Sequence, residues 1–168
     1  KMNHDDNPIF RSLDEAQLAD FVAACDQTQM PGGAEVIAHG SDGQQVFFLV
    51  DGELSVRVTG ALGQQELARL APPAVVGEMS MLTGHPRSAQ VVATTDVQLL
   101  AMPIETFRER MADGDVPTMK IVCNMAKVLA YRLAELTDKL MEVESVVPQD
   151  RSAELQRFRA KLFSDWST

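Results

Sequence analysis

From Pro31 to Met102 the chain never sustains an apolar run longer than the pentapeptide Val46 to Val50, and that shortness limits its fold more than any other feature. Val36-Ile37, Val46 to Val50, Leu54-Ser-Val56-Arg-Val58, Leu67 to Leu70, Val75-Val76, Val91-Val92 and Val97 to Leu100 are β-type runs, and turns carrying Gly, Pro or Asp separate most of them. Strands this short at this spacing predict a compact antiparallel barrel or roll. The same pentapeptide is far below the roughly 20 apolar residues that span a bilayer, and no charged-then-apolar leader opens the chain. The expectation is a soluble, cytoplasmic protein.

Helical texture flanks the roll. Ser12-Leu-Asp-Glu15 reads as a capping box, and Leu13, Leu18, Phe21, Val22 and Cys25 follow at helical spacing. A helix of about 12 residues is therefore expected to start near Leu13. After Pro103 the period returns in Ile104 to Ala112, then, past a Gly114/Pro117 break, in a stretch able to run unbroken to about Ser145 before Pro148 ends it. In that stretch Val122, Ala126, Leu129, Leu133, Leu136, Leu140, Val143 and Val147 form a heptad seam, with Lys127, Arg132, Glu135, Asp138, Lys139, Glu142 and Glu144 on the outward positions. Such a seam either packs on the chain's own roll or pairs with a second copy. One roll covers so long a helix poorly, so a parallel homodimer is expected.

The predicted fold class is α+β: an antiparallel β-roll (double-stranded β-helix, jelly-roll-like) flanked by an N-terminal helix and C-terminal helices, the last of them long. The expected boundaries are a domain over 1–147, comprising a helical segment 1–30, a roll 31–102 and hinge and lid helices 103–147, followed by an amphipathic tail over 148–168. In the tail Leu155, Phe158, Leu162 and Trp166 share one face of a possible short helix, with Arg151, Arg157, Arg159 and Lys161 supplying most of its charge. That face either packs back on the protein or serves as an effector segment.

Charge and rare residues narrow the function. Lys and Arg total 15 against 24 Asp and Glu, a formal charge of −9, so nucleic acid and anionic membranes are not expected as direct partners. Cys25 and Cys123 form no CxxC or Cys/His pattern, and His4, His39 and His85 sit in separate segments with no His-x-His pair. A metal site, a disulfide framework and a metal-bearing β-roll enzyme therefore have no support. A nucleophile-base pattern is missing too, and no catalytic residue is assigned.

The densest chemistry lies in Gly77-Glu-Met-Ser-Met-Leu-Thr-Gly-His-Pro-Arg87-Ser-Ala. It reads as a strand end, a helical turn from about Glu78 to Leu82, a Gly84/Pro86 reversal, and an arginine entering the next strand. Amides at the start of a helical turn favour an anion, and a guanidinium folding back adds charge-assisted bonds to the same anion. One arginine suits a singly charged phosphodiester, while a neighbouring carboxylate accepts from sugar hydroxyls. The combination fits a nucleotide with little phosphate charge; an ordinary Glu/Arg surface salt bridge is the other reading of the same residues.

The passage Val76-Gly-Glu-Met-Ser-Met-Leu-Thr-Gly-His-Pro-Arg-Ser-Ala-Gln-Val91 resembles the phosphate-binding cassette of cyclic-nucleotide-binding domains, the sensory module of catabolite activator proteins, cyclic-nucleotide-dependent kinases and gated channels. Gly33-Ala-Glu-Val-Ile-Ala-His-Gly40 and Phe47-Phe-Leu-Val-Asp-Gly-Glu-Leu-Ser-Val56 are similar to the family's two early strand motifs, and the likeness runs from about Phe10 to Leu140. It implies that Glu78 holds the ribose 2′-hydroxyl and Arg87 the cyclic phosphate. Ser88 would add a hydroxyl to the phosphate or to a guanine edge, Gly77 would keep the wall low, and the amides of Met79 and Ser80 would complete the anion site. Leu67 and Leu70 would be apolar walls near the base. Leu133, Leu136 and Thr137 would be lid positions on the last helix, which the resemblance expects to close over the base as Ile104 to Ala112 swings about Gly114/Pro117.

Two departures stand out. Pro73-Ala74 replaces the usual Gly and acidic residue ahead of the cassette corner, which alters a turn and no ligand contact. The family's DNA-binding winged helix needs roughly 60 residues or more, and 21 follow Val147, so promoter binding is not expected unless the chain is part of a larger protein. The expectation is a stand-alone receptor or regulatory domain taking cAMP in preference to cGMP, with a possible downstream effector protein. The competing expectation is a dimerisation or interaction scaffold whose nucleotide pocket has lapsed.

Overall fold

Every position from Val46 to Val50 is apolar because the strand that carries it has no solvent face. In a computed structural model of the protein, the elements run α1 (Glu15–Ala23), β1 (Asp26–Met30), β2 (Glu35–Ile37), β3 (Gln45–Asp51), β4 (Leu54–Gly60), β5 (Gly63–Leu70), β6 (Ala74–Val76), α2 (Glu78–Thr83), β7 (Gln90–Ala93), β8 (Val97–Pro103), α3 (Ile104–Ala112) and α4 (Val116–Val146). The structure describes residues 8–60, 63–146, 157 and 160, with only the backbone for 139–146. The proposed tail therefore lies outside the described residues apart from Arg157 and Ala160, both helical and exposed, as do the seam positions Leu140, Val143 and Val147 as side chains.

The strands form two four-stranded antiparallel sheets, ordered β1-β8-β3-β6 and β2-β7-β4-β5. Pairing early strands with late ones is the roll topology that the short runs predict. Between the sheets lies a core of Ile37, Leu49, Leu54, Ala74, Val76, Val91, Ala93, Val97 and Leu99, with Phe47 packed against it. The other face of β3 turns to the helices. There Phe48 meets Phe10 and Phe21 at ring-centroid distances of 5.6 and 5.3 Å, and Phe21 in turn meets Phe107 of α3 at 6.5 Å. A strand covered on both faces reads as a continuous apolar run rather than an alternating one.

Two boundaries differ from the sequence reading. Helix α1 begins at Glu15, nine residues long, because Asp14 rather than Ser12 caps it: the Asp14 carboxylate accepts from Gln17 N at 2.8 Å, and the Gln17 side chain accepts from Asp14 N. The Ser12 hydroxyl is used elsewhere, accepting from Asn124 Nδ2 at 2.8 Å. The roll takes in Asp26–Met30, inside the segment expected to be helical, since pairing to β8 from Asp26↔Ala101 to Met30↔Val97 holds a polar edge strand in place. The chain divides into two compact units, 1–126 and 127–168. Thr118, Ile121, Asn124 and Met125 of α4 are buried, whereas the described side chains from Lys127 to Asp138 include no buried one.

Candidate functional site

Helix α2 exists because the chain reverses at both of its ends. Gly77, at φ +86°, is its N-cap, and Gly84, at φ +72°, closes it with its amide on Ser80 O at 2.9 Å. The helical ladder starts with Met81 N on Gly77 O at 3.3 Å. The amides of Glu78, Met79 and Ser80 precede that bond and have no acceptor within the helix.

Arg87 is threaded into this corner. Its Nη1 donates to Gly77 O at 2.9 Å and its Nη2 to Gln45 O. Its own backbone is fixed by Arg87 N to Ser41 O at 3.0 Å and Gly40 N to Arg87 O at 2.8 Å. The residue is 5% exposed, Glu78 beside it 7% and Ser80 6%. Burial pulls the guanidinium pKa down while the Glu78 carboxylate works to raise it, and an arginine stays charged through such a shift. Two carbonyl contacts occupy only part of a five-donor fork, so the cation keeps donors for an anion.

The corner is shaped by absent side chains. A Cβ on Gly77 would lie 2.2 Å from Arg87 Nη1, and one on Gly43 would lie 2.5 Å from Arg87 Cζ. Gly77 thus makes room first for the arginine. The roles of Gly43 and the Gln45 carbonyl are not legible in the sequence: a main-chain acceptor has no side-chain signature, and a glycine in the turn before β3 is the one sign of it.

The other expected site residues fall into three groups. Met79 and Ser88 are exposed near each other, the Ser88 hydroxyl 3.8 Å from Met79 Sδ. On β5, Leu67 is exposed, at 62%, whereas Leu70 is half-buried and packs against the roll core. Leu133, Leu136 and Thr137 belong to the second unit, where both leucines are exposed and the Thr137 hydroxyl donates to Leu133 O at 2.9 Å. A separate cleft of about 420 Å³, bordered by Met30, Asp51, Asp96 and Gln98, includes no residue of the cassette. Among the described residues no group of His, Cys, Asp and Glu is arranged to hold a metal, and no helix is long and apolar enough to cross a membrane.

A cyclic AMP receptor protein from Thermus thermophilus is 31% identical over 130 residues, which is 77% of this chain and 58% of that protein. The cyclic nucleotide-gated potassium channel mll3241 of Mesorhizobium japonicum is 36% identical over 101 residues, 60% of this chain and 27% of the channel. The crystal structure of the Thermus thermophilus catabolite activator protein superposes with a TM-score of 0.70 at 28% identity, covering 82% of this chain and 64% of that one. The chain thus spans between about a quarter and two thirds of these three relatives. The family model for the cyclic nucleotide-binding domain matches residues 27–113, from β1 through the cassette to the end of α3, and the chain belongs to that family.

Proposed function

We propose that the protein is a cyclic-nucleotide receptor domain that takes cAMP in preference to cGMP and answers it by repositioning its C-terminal helices. The observation that carries this reading is the buried Arg87, held beside the buried Glu78 at the open first turn of α2. A lone arginine with unused donors matches one cyclic phosphate, and the amides of Met79 and Ser80 add neutral donors on the same side. Glu78 accepts from the ribose 2′-hydroxyl, and Ser88, next in chain to Arg87, turns its hydroxyl to the phosphate or to a guanine edge. Leu67 and Leu70 offer apolar surface to the base, and Leu133, Leu136 and Thr137 are the lid positions. The apolar character of these walls favours adenine. In this reading the protein is a regulatory element rather than a catalyst, no metal takes part, and the working form is a homodimer paired through α4. Neither nucleic acid nor a membrane is a partner, the site of action is the cytoplasm, and the response passes to a downstream effector protein.

A thermal-unfolding scan with no nucleotide, cAMP or cGMP tests the reading. A ligand at 100 times its Kd adds about 2.7 kcal/mol, a shift of several degrees for a domain of this size. Arg87→Ala removes a desolvated charge-assisted contact of roughly 2–5 kcal/mol and lowers affinity more than tenfold. A cAMP shift larger than the cGMP shift, cut at least by about half in Arg87→Ala, is the expected outcome; an undiminished shift in the variant would show that the nucleotide binds elsewhere. The second reading, an interaction scaffold with a lapsed pocket, has in its favour the exposed Leu133 and Leu136 of α4. It predicts a folded dimer that neither nucleotide stabilises.

A further inference from the structure

The carbonyls in the last turn of a helix lack intrahelical donors, and those of α2 find theirs in different places. Gly84 N takes Ser80 O, and the Thr83 hydroxyl takes Met79 O at 2.7 Å. Met81 O is taken from outside the cassette, by Arg108 Nη2 of α3 at 3.1 Å. One end of this six-residue helix therefore adjoins Glu78 and Arg87, and the other end is held by α3.

Helix α3 is in turn tied to α4 and to α1. Arg110 Nε donates to Asp115 Oδ2 at 3.2 Å and to Thr118 Oγ1 at 3.1 Å, and its Nη2 reaches both Asp115 and Asp20 of α1. Asp115 also accepts from Thr118 N at 2.9 Å, so it caps α4 while holding Arg110. Further along α4, the buried Asn124 donates to Ile9 O at 3.0 Å and to the Ser12 hydroxyl. The Gly114/Pro117 break expected to act as a hinge is thus bridged by charged side chains, and both of its sides are fastened to α1 or to the turn before it.

We propose that Arg108 is the positioning residue that hitches the cassette helix to α3, and that α1, α3 and the first turns of α4 answer the cassette as one clamped body. This rests on the nucleotide reading above. A ligand shifts a conformational equilibrium only through contacts that differ between the two states. Glu78 and Arg87 supply such contacts at the start of α2, and the hydrogen bond on Met81 O passes a displacement of that short rod to α3. Arg110 then keeps the two sides of the Gly114 elbow from moving separately.

Hydrogen exchange on the full chain, with and without saturating cAMP, tests this for the parent, Arg108→Ala and Arg108→Lys. In the parent, cAMP changes exchange in the cassette, in α3 and in residues 116–125 together. In Arg108→Ala the cassette change persists and the affinity stays within about fivefold of the parent, the low end of allosteric coupling, while the α3 and α4 change is lost. Arg108→Lys restores it, because an ammonium donates to the same carbonyl. Arg108 is exposed, so its removal leaves the fold intact; a thermal scan checks this, and Arg108→Met, which keeps the apolar stem, replaces the alanine variant if it does not. A parent-like α3 response in Arg108→Ala overturns the inference alone, and an α3 change without one in residues 116–125 overturns the clamp. A parent that shows no response to nucleotide anywhere overturns the nucleotide reading and this one with it.

Discussion

At the scale of single residues, α2 offers a comparison between two glycines with the same backbone demand and different surroundings. Gly77 and Gly84 both have positive φ, +86° and +72°. A Cβ on Gly77 would meet Arg87 Nη1 at 2.2 Å, whereas one on Gly84 would meet nothing within 4 Å. Alanine at Gly84 incurs only the left-handed backbone penalty, about 1–2 kcal/mol. Alanine at Gly77 incurs the same penalty and also drives the guanidinium off its carbonyls, because the added Cβ and Nη1 cannot both occupy the corner. Gly84→Ala is therefore expected to lower Tm modestly and keep its affinity for cAMP, while Gly77→Ala loses more than tenfold in affinity by calorimetry. Equal affinities in the two variants would mean that Arg87 tolerates displacement and that the corner is not the anion site.

At the scale of elements, the elbow between α3 and α4 is an electrostatic joint, and its dependence on pH follows from Asp115. Burial raises the pKa of that carboxyl, but the Thr118 hydroxyl and amide, together with Arg110, outweigh it and hold the group below its ordinary value. An acid depressed in the folded state contributes stability that is present above its unfolded pKa and lost as pH falls through the folded one. Asp115→Asn preserves a good N-cap while removing the negative charge that faces Arg110. Its deficit at pH 7 is expected to be no more than about 1 kcal/mol, since the pair is partly solvated, and to close as pH drops below about 4. Urea unfolding across that range checks it; a deficit unchanged at low pH would assign the effect to shape instead of charge. The elements differ in how openly the sequence announced them. Strand β3 and helix α4 were legible because burial on two faces, or a stripe along one, writes a long apolar pattern. Strand β1, Asp-Gln-Thr-Gln-Met, was not, because an edge strand with a solvated face is held by main-chain bonds to β8 that leave no mark on side-chain type. The candidate site divides the same way: Glu78 and Arg87 were legible as side chains, whereas the Gln45 carbonyl, the room left by Gly43 and the Arg108 bond to Met81 O required the folded backbone.

At the scale of the whole molecule, the question is what covers the seam of α4. The helix has 31 residues, about 46 Å at 1.5 Å per residue. Leu133 is 45% exposed and Leu136 58%, with Leu129 half-buried and Ala126 exposed on the same stripe. A 4,3 spacing of apolar residues is the pattern that a second identical helix covers, each leucine entering a hole on its partner. Burying a leucine stabilises by roughly 1.5–3 kcal/mol, and twofold symmetry applies each gain twice. Lysine at both Leu133 and Leu136 places four charges in such an interface, enough to separate the chains at micromolar concentration. Tyr131, 74% exposed, lies on the opposite side of the heptad, so Tyr131→Lys adds a charge off the stripe and is expected to leave assembly unchanged. Sedimentation velocity then gives a dimer for the parent and Tyr131→Lys and a monomer for the double leucine variant. If Thr137 or the leucines of one copy also complete the partner's pocket, the monomer binds cAMP more weakly than the dimer; if they serve only assembly, its affinity is unchanged. A parent that sediments as a monomer removes the homodimer and leaves the exposed leucines to be explained by the lid alone.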